Sequence, residues 1–424
     1  MRPILLSHAD SYGGAARAAY RIHRALLANG TPSRLWVANK KTDDYTVEGP
    51  PGELGNGLAV VRALVGRRIM RLQRTPNPIL HSPALLPSSR LRALNAARAD
   101  VVNLHWVNEE FLSISDIGRL TKPVVWTLHD MWSFSGAEHY GEEFEARWKE
   151  GYTSGNRPPH HGGLDLDRWT WNRKRKHWTR PMLIVAASEW LARCAKESTL
   201  MRDWPVRVIP NALDTNRYQP VAKEQARQLL GLPPGVPIVL FGAIGGARDP
   251  RKGWDLLQPA LSRTAAVIRD LHGVIFGQSE PADPPKLGLP LCWLGSLADD
   301  ATLALAYSAA DVVVVPSRQE AFGQAASEAQ SCGRPVVAFD CTGLTDVVSH
   351  RQTGYLAKPY DVDDLAAGIA WTLNDQARLD QLGAAARERA CNVWTEPVVA
   401  RQYLAAYSEA MEMNAARRTA SRAV

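Results

Sequence analysis

The sequence has few cysteines, and it lacks apolar segments of the length found in membrane proteins. Its five cysteines are Cys194, Cys292, Cys332, Cys341 and Cys391. They are scattered and odd in number, and no two form a CxxC pair, which indicates small buried side chains in a reducing compartment rather than a disulfide framework. No apolar run reaches the roughly 18 to 20 residues of a membrane span, and the apolar start is too short for a signal peptide. We therefore expect a cytoplasmic protein.

The chain also lacks a strong excess of charge of either sign. Its 50 basic and 43 acidic side chains give a net charge of +7 over 424 residues. A nucleic-acid-binding protein usually concentrates its positive charge in one patch, so nucleic acid is not the expected partner. With 45% hydrophobic and 22% charged residues, the composition is that of a globular protein, and the length suits two or three domains.

One unit near the C-terminal third organises the chain. A buried strand is predicted for Asp311–Val315, a helix for Gln324–Ser331, and a second strand for Pro335–Phe339. A polar turn precedes the helix and ends at Gly323, where the missing side chain lets a ligand approach the backbone. The N-terminus of a helix in such a unit is a natural site for an anion.

This unit contains two carboxylates, Glu320 and Glu328. Were the span between them helical, they would lie roughly 12 Å apart. Paired carboxyls of glycosidases lie roughly 5 to 9.5 Å apart, so a hydrolytic pair is not expected here. The spacing suits two anchors at opposite ends of an elongated ligand. An ordinary strand–helix unit with two solvated acids remains the alternative.

Glu320, Glu328 and the following CGRPVV segment together resemble the retaining GT-B glycosyltransferases of family 4, and the run LHW…PVVWTLHDMWSFSG is similar to its polysaccharide-assembly members. The resemblance implies an α/β protein with two Rossmann-like parallel-sheet domains facing each other over a cleft. It implies a hexosyltransferase that uses a UDP- or GDP-type sugar, a glycan or lipid-linked acceptor, and no metal cofactor. It also implies catalysis on one face of the sugar, with the departing phosphate helping to deprotonate the acceptor.

The segment VRVIPNALDTNRYQP is similar to the link between the two domains of this family. Its proline and asparagine content also suits a domain boundary. We predict an acceptor-side domain over residues 1–211 and a nucleotide-sugar domain over 212–396. Residues 397–424 are predicted to form a helix that crosses back to the first domain, followed by a flexible tail from Ala416.

Gly13 and Gly14 follow the first predicted strand and precede an alanine-rich helix. Without GxGxxG or GK[ST], this segment is neither a dinucleotide fingerprint nor a Walker motif, and a tight strand–helix turn explains it. In the resembled family the equivalent loop lies against the donor phosphate, a role that would fall to Tyr12, Gly13 and Gly14.

Three histidines, His8, His105 and His129, stand at the ends of predicted strands. Ligands bind outside the carboxyl ends of parallel strands, so the three imidazoles could line one crevice, or each could be structural. A zinc site is conceivable, but their spacing is not that of metal ligands. The resemblance implies that His129 faces the transferred sugar.

Lys252 precedes a helix predicted to start near Gly253, where its ammonium could bind a diphosphate. A solvated basic loop is the alternative. The family usually has an arginine where this chain has Ala243, so Arg248 or Arg251 would have to substitute for it. The resemblance thus assigns catalytic roles to His129, Glu320 and Lys252. Donor-binding roles fall to Gly13, Gly14, Arg248, Arg251, Lys252, Phe322, Gly323, Gln324 and Glu328.

A basic amphipathic helix is predicted between Leu58 and Arg74. Its apolar stripe is Val61, Leu64, Val65, Ile69 and Leu72, and its other face carries Arg62, Arg67, Arg68, Arg71 and Arg74. Such a helix can lie on an anionic membrane surface, which would make the protein peripheral to the membrane. It can equally pack its apolar stripe into the domain and leave a solvated cationic face.

Two further stretches leave other functions open. The polar loop 139–163 would be a functional lid or simply mobile. Arg168–Arg180 interleaves basic and aromatic side chains on one predicted helix, which could bind nucleic acid or cover the acceptor side of a site. A nucleic-acid-binding protein and a sugar-nucleotide epimerase, which also has two α/β domains, are therefore the alternatives to a glycosyltransferase.

Overall fold

A computed structural model describes residues 1–50, 52–141, 146–242, 249–297 and 299–422. The chain forms two compact units. The first contains Met1–Ile209 and the C-terminal residues from Val399 onward, and the second contains Pro210–Val398. The structure therefore divides the chain between Ile209 and Pro210, beside the boundary predicted at residue 211.

The first unit is built on a seven-stranded sheet in which every described pairing is parallel. The strand order is β3-β2-β1-β5-β6-β8-β9. These strands are β1 (Pro3–Ala9), β2 (Arg34–Asn39), β3 (Val47–Glu48), β5 (Val101–Leu104), β6 (Val124–Leu128), β8 (Leu183–Ala186) and β9 (Val206–Val208). The central strands β5, β6 and β8 are buried along their whole length, as expected for parallel strands covered on both faces.

Helices and one short antiparallel pair complete the first unit. The pair is β4 (Gln73–Arg74) with β7 (Gly162–Gly163). The helices are α1 (Gly14–Ala28), α2 (Gly52–Met70), α3 (Arg90–Ala96), α4 (Ile114–Gly118), α5 (Arg147–Glu150), α6 (Leu166–His177) and α7 (Glu189–Glu197). The loop predicted over 139–163 thus contains α5 and β7, while residues 142–145 lie outside the described chain.

The second unit has a six-stranded parallel sheet of order β12-β11-β10-β13-β14-β15. Its strands are β10 (Ile238–Gly242), β11 (His272–Phe276), β12 (Leu291–Trp293), β13 (Val312–Val315), β14 (Val336–Phe339) and β15 (Gly354–Ala357). Its helices are α8 (Lys223–Leu230), α9 (Trp254–Ala265), α10 (Asp300–Ala309), α11 (Gln324–Ser331), α12 (Leu344–Val347), α13 (Val362–Leu373) and α14 (Gln376–Val393). The predicted α/β class with two parallel sheets is confirmed.

The last helix, α15 (Glu396–Arg422), corrects the prediction of a flexible tail. The helix does not end before Ala416 but continues to Arg422. Two arginines of this segment donate to carbonyl oxygens of the first unit, Arg417 to Pro181 at 2.5 Å and Arg418 to Thr121 at 3.3 Å. These contacts, with a composition of good helix formers, explain why the helix persists.

Helix α2 exposes its apolar stripe and turns part of its polar face toward the domain. Arg62 points inward and donates to the carbonyl oxygens of Leu86, Pro87 and Glu110. Gly66 is buried against the Glu110 carboxylate, where an added Cβ would lie 2.9 Å from Oε1. The surface under α2 is therefore polar, and an arginine and a glycine fit it better than valines. The exposed apolar side chains are Leu58, Val60, Val61, Leu64, Val65 and Leu72.

The basic residues at the centre of α6 also serve the fold. Lys174 is fully buried and donates to the carbonyl oxygens of Trp132, Ser135 and Gly136. Arg173 donates to the carbonyl oxygens of Pro83 and Ala84. These two cations are thus engaged inside the first unit, which weakens the case for nucleic-acid binding by this helix. Among the described residues, no helix combines the length and the hydropathy required to cross a membrane.

Candidate functional site

In the second unit, a close backbone contact brings two loops together at the carboxyl end of the sheet. A short 3-10 turn, Pro250–Lys252, ends at Gly253, which has φ +68°. A Cβ on Gly253 would lie 1.9 Å from the carbonyl oxygen of Pro316, the residue that follows β13. Only glycine allows this approach, which carries the preceding lysine to the turn that follows β13.

Lys252 and Glu320 form an ion pair at this junction. The lysine Nζ lies 2.5 Å from Glu320 Oε1, and Ser317 Oγ lies 3.0 Å from the same oxygen. Burial alone would raise the pKa of Glu320, but the charges of Lys252 and Arg251 outweigh it and hold that pKa below its usual value. The carboxylate is therefore ionised at neutral pH, and it holds the ammonium in one position.

Arginines fix the loops around this pair. The Arg318 side chain donates to both carboxylate oxygens of Asp255 and to the carbonyl oxygen of Pro250. The backbone N–H of Arg318 donates to the carbonyl oxygen of Arg251. Arg251 forms its own ion pair with Asp249 at 2.6 Å, and its charge also acts on the Glu320 carboxylate. Its predicted contact with the diphosphate stays a prediction. Arg248, the other arginine predicted for the diphosphate, lies outside the described residues.

The turn before α11 is compact at Gly323. Gly323 has φ +105°, and a Cβ there would lie 2.8 Å from Leu344 Cδ2. The Phe322 side chain is buried edge-on to Trp394 at 6.1 Å, so its ring belongs to the core, and any ligand contact at this residue falls to the backbone. Gln324, half-buried, opens the helix.

Glu328 lies in the second turn of α11, on a different element from Glu320. It is 3% exposed, and its Oε2 accepts a hydrogen bond of 2.8 Å from Tyr307 of α10. Tyr307 was not predicted as a site residue, because nothing in the sequence near position 307 marks a partner on α11. The two glutamates are thus held separately, one by a lysine and one by a tyrosine.

In the first unit, two of the three strand-end histidines meet. His105 Nδ1 lies 3.0 Å from His129 Nε2, and the rings stack with centroids 5.2 Å apart. The cause is the parallel pairing of β5 with β6, which places both strand ends at the same edge. Burial lowers the pKa of His129 to about 4, and burial with the neighbouring His129 lowers that of His105 well below its usual value.

His8 does not join this pair. Its Nε2 lies 3.3 Å from the Glu109 carboxylate, and its ring stands edge-on to Trp106. Glu109 and Glu110 both have left-handed backbone conformations, with φ +53° and +62°. Within the described chain, no three histidine, cysteine, aspartate or glutamate side chains are grouped as metal ligands would be.

A polar network that includes Asp130, the residue after His129, was not predicted from the sequence. Asp130 Oδ2 accepts from Trp106 Nε1 at 2.9 Å and lies 2.6 Å from His139 Nδ1, whose Nε2 is 2.8 Å from Ser82 Oγ. Ser82 and His139 are buried, so the chain of contacts is a support for the loop after β6. Two of the three pairings join positions 24 and 57 residues apart, which no local pattern could reveal.

The predicted glycine loop is a turn between β1 and α1. Gly13 has φ +90° and precedes α1, and its carbonyl accepts from Arg17 N. Beyond its two chain neighbours, no described residue has an atom within 4 Å of the place where a Gly13 Cβ would stand, and Tyr12 is 72% exposed. Gly14 begins the helix. The loop therefore presents open backbone at a helix N-terminus, which suits an anion but by itself fits any tight turn.

Solved structures with a similar fold cover almost the whole chain. Sucrose-phosphate synthase from Thermosynechococcus elongatus matches with a TM-score of 0.67 and 20% identity, over 96% of this chain and 98% of that one. Anabaena Alr3699/HepE, in complex with UDP and glucose, matches with a TM-score of 0.62 and 19% identity, over 96% and 100%. The predicted GT-B fold is confirmed.

Curated relatives match about half of the chain. D-inositol 3-phosphate glycosyltransferase of Gordonia bronchialis is 34% identical over 228 residues, 50% of this chain and 49% of that protein. D-inositol 3-phosphate glycosyltransferase 1 of Catenulispora acidiphila is 34% identical over 258 residues, 54% and 59%. The chain thus spans between about half and three fifths of the length of these relatives.

Two family models match consecutive parts of the chain. The model of Glycosyltransferase Family 4 matches residues 12–217, and that of Glycosyl transferases group 1 matches residues 223–389. The two matches correspond to the two compact units, and the predicted class of enzyme is confirmed at the level of the family. The chain is thus similar to glycosyltransferases in both of its units, to Family 4 in the first and to group 1 in the second.

Proposed function

We propose that the protein is a retaining hexosyltransferase that moves a sugar from a nucleotide-diphosphate sugar to a hydroxyl acceptor. The observation that carries the proposal is the Lys252–Glu320 ion pair at the carboxyl end of the second sheet, next to α11 with its buried Glu328. It offers a cation for phosphate, a carboxylate for sugar hydroxyls, and a second carboxylate for the ribose. The UDP and glucose in the Anabaena structure favour a donor of this kind, with a UDP- or GDP-type nucleotide.

The reaction follows from where charge develops. The bond between the sugar C1 and the diphosphate oxygen breaks, and a bond from the acceptor oxygen to C1 forms on the same face. The acceptor proton passes to the departing diphosphate. Lys252 and Arg251, with the N–H groups at the start of α11, would stabilise the negative charge that grows on the diphosphate, because they are fixed in advance. No divalent metal is needed in this scheme.

The acceptor is proposed to be a glycan or lipid-linked saccharide of bacterial surface polysaccharide synthesis. The exposed face of α2 supports this choice. It combines five apolar side chains that are at least 37% exposed, from Leu58 to Val65, with the exposed Arg68 and, just after the helix, the exposed Arg71. Such a face can adsorb on an anionic membrane, where the arginines contribute roughly 1 kcal/mol each and the apolar side chains enter the interface.

A panel of nucleotide sugars tests the proposed reaction. The true donor should stabilise the protein by about 2.7 kcal/mol when it is present at a hundred times its dissociation constant. Transfer from that donor should occur equally with and without EDTA. The acceptors should include lipid-linked saccharides and inositol phosphate, since the curated relatives are named for the latter. An epimerised donor in the absence of acceptor would point instead to an epimerase, and loss of transfer on chelation would overturn the metal-free scheme.

The two glutamates should have separable effects. Glu328→Ala should weaken binding of the free nucleotide by roughly 1.5 to 3 kcal/mol, because a charged hydrogen bond to the ribose is lost. Glu320→Ala should reduce turnover of the intact donor and leave nucleotide binding nearly unchanged. Calorimetry with the free nucleotide measures both, and Tyr307→Phe controls for the loss of the Tyr307 bond to Glu328. Equal losses in the two glutamate variants would contradict this division.

The membrane hypothesis predicts co-sedimentation with anionic liposomes at low salt. Arg68→Glu with Arg71→Glu should abolish it, while Arg67 is left intact because it pairs with Glu109. Leu64→Ser with Val65→Ser should weaken it without any change of charge. A matched control is Arg98→Glu with Arg202→Glu, two exposed arginines of the same unit outside α2. Equal loss in the control would show that only net charge matters.

A further inference from the structure

The hydrogen bonds of His105 and His129 indicate which ring nitrogens carry protons. One hydrogen bond joins His105 Nδ1 to His129 Nε2 at 3.0 Å. His105 is 2% exposed, and its other nitrogen, Nε2, is buried with no hydrogen-bond partner in the described part of the chain. His129 is half-buried, and its Nδ1 is neither bonded to a described residue nor among the buried polar atoms that lack a partner.

Only two neutral arrangements satisfy the bond between the rings. In the first, His129 donates its Nε2–H to His105 Nδ1, so that His105 carries its own proton on Nε2. That arrangement leaves a buried N–H without an acceptor, which is among the rarest and costliest defects of a folded protein. In the second, His105 donates from Nδ1, and only a lone pair is left without a partner.

We propose that His105 is a positioning residue that fixes His129 in the tautomer protonated at Nδ1. His129 then presents an accessible N–H donor at the end of β6 and no lone pair. This inference rests on the proposed function in one respect, which is that the transferred sugar binds at this strand end. There His129 would donate a hydrogen bond to a sugar oxygen. It could not accept the proton of the acceptor, which agrees with its transfer to the departing diphosphate.

Burial supports the neutral state that this arrangement requires. It lowers the pKa of His129 to about 4 and that of His105 well below its usual value. Both rings are therefore uncharged near pH 7, and a single proton on each ring defines the direction of the bond between them. The negative charge of Asp130 favours the charged form of His129 but does not outweigh burial.

The tautomer can be measured without any transfer reaction. The full chain, labelled with ¹⁵N-histidine, contains 11 histidines, and the resonances of His129 are assigned by their loss in His129→Asn. Long-range proton–nitrogen correlations distinguish a ring protonated at Nδ1 from one protonated at Nε2. We expect His129 of the unmodified protein to be protonated at Nδ1. Protonation at Nε2 would overturn the proposal.

Two substitutions separate donation from packing. His105→Asn keeps an N–H donor close to the place of Nδ1 and should retain the His129 tautomer and most of the transfer rate. His105→Asp offers an acceptor in place of the donor, so His129 should change to a form protonated at Nε2, and kcat should fall at least tenfold while binding of free nucleotide is unchanged. Equal rates in His105→Asp and the unmodified protein would contradict the proposal. If His129 is protonated at Nδ1 but no nucleotide sugar supports transfer, the proposed function fails and the tautomer assignment stands.

Discussion

Replacing Lys252 by methionine should lower kcat/KM by roughly a hundred- to a thousandfold. The ammonium is held 2.5 Å from Glu320 Oε1, so it is fixed before any substrate arrives. A preorganised cation of this kind stabilises charge that develops in the transition state, and removal of one such group typically has an effect of this size. The measurement is steady-state transfer with the donor identified by thermal shift.

Two further variants isolate the cause. Lys252→Met also leaves the carboxylate of Glu320, which is 16% exposed, without its ammonium partner, and such unpaired charges are costly. Glu320 is itself expected to act in turnover, so the two causes are separated by binding of the free nucleotide diphosphate. If the unpaired carboxylate repels the diphosphate, Glu320→Gln in the Lys252→Met background should restore that binding. If the diphosphate needs the cation, the double variant should bind as weakly as Lys252→Met. Lys358→Met, at an exposed lysine of the same unit, is the matched control.

Acidification should destabilise the first unit between pH 6.5 and pH 4. His23 is fully buried between Ser33 and Thr46, and burial lowers its pKa to about 4. The pKa of His129 is lowered equally, to about 4. Below about pH 6.5 these histidines are protonated in the unfolded chain but stay neutral in the native protein. The free energy of unfolding is therefore highest above that pH and falls on acidification. Each such histidine removes up to about 1.4 kcal/mol per pH unit.

Urea unfolding followed by tryptophan fluorescence at pH 7, 6, 5 and 4.5 would measure this loss. His23→Asn should lower the stability at pH 7, because the buried contacts change, but it should flatten the decline toward pH 4.5. His160→Asn, at an exposed histidine of the same unit, should leave the decline unchanged. Parallel declines in His23→Asn and the unmodified protein would show that His23 is not responsible.

The parts of the fold that were predictable from the sequence are those with a local cause. Val312–Val315 is an uninterrupted apolar run bounded by turn residues, and it forms β13 as expected. Gly323 was predicted from the approach of a ligand, which stays a prediction, and its φ of +105° gives a second, local reason for a glycine there. By contrast, β15 was missed, because GYLA is short and begins with a glycine, which weakens the signal of a strand.

The site could be predicted less well than the fold, because it depends on contacts between residues far apart in the sequence. The types of Glu320 and Lys252 suggested a charged site, but they are 68 positions apart and no pattern showed that they pair. For α2, the periodicity showed that two faces exist, but not that the Glu110 carboxylate and the carbonyls of the 86–87 loop would lie beneath it and select Arg62 and Gly66. The helical periodicity of a sequence shows which residues share a face of the helix. Whether that face is buried depends on which residues from elsewhere in the chain pack against it.

The sequence order of α15 has a consequence for biosynthesis. Tyr403 and Tyr407 are fully buried in the first unit, where Tyr407 Oη donates to Asn103 Oδ1 at 2.8 Å and Tyr403 Oη lies 3.3 Å from Thr127 Oγ1. The ribosome makes these tyrosines only after all of the second unit. Domains generally fold as they emerge, N-terminal first. Here the core of the first unit stays incomplete until the second unit has been synthesised. The C-terminal unit is therefore the one that can complete its folding earlier.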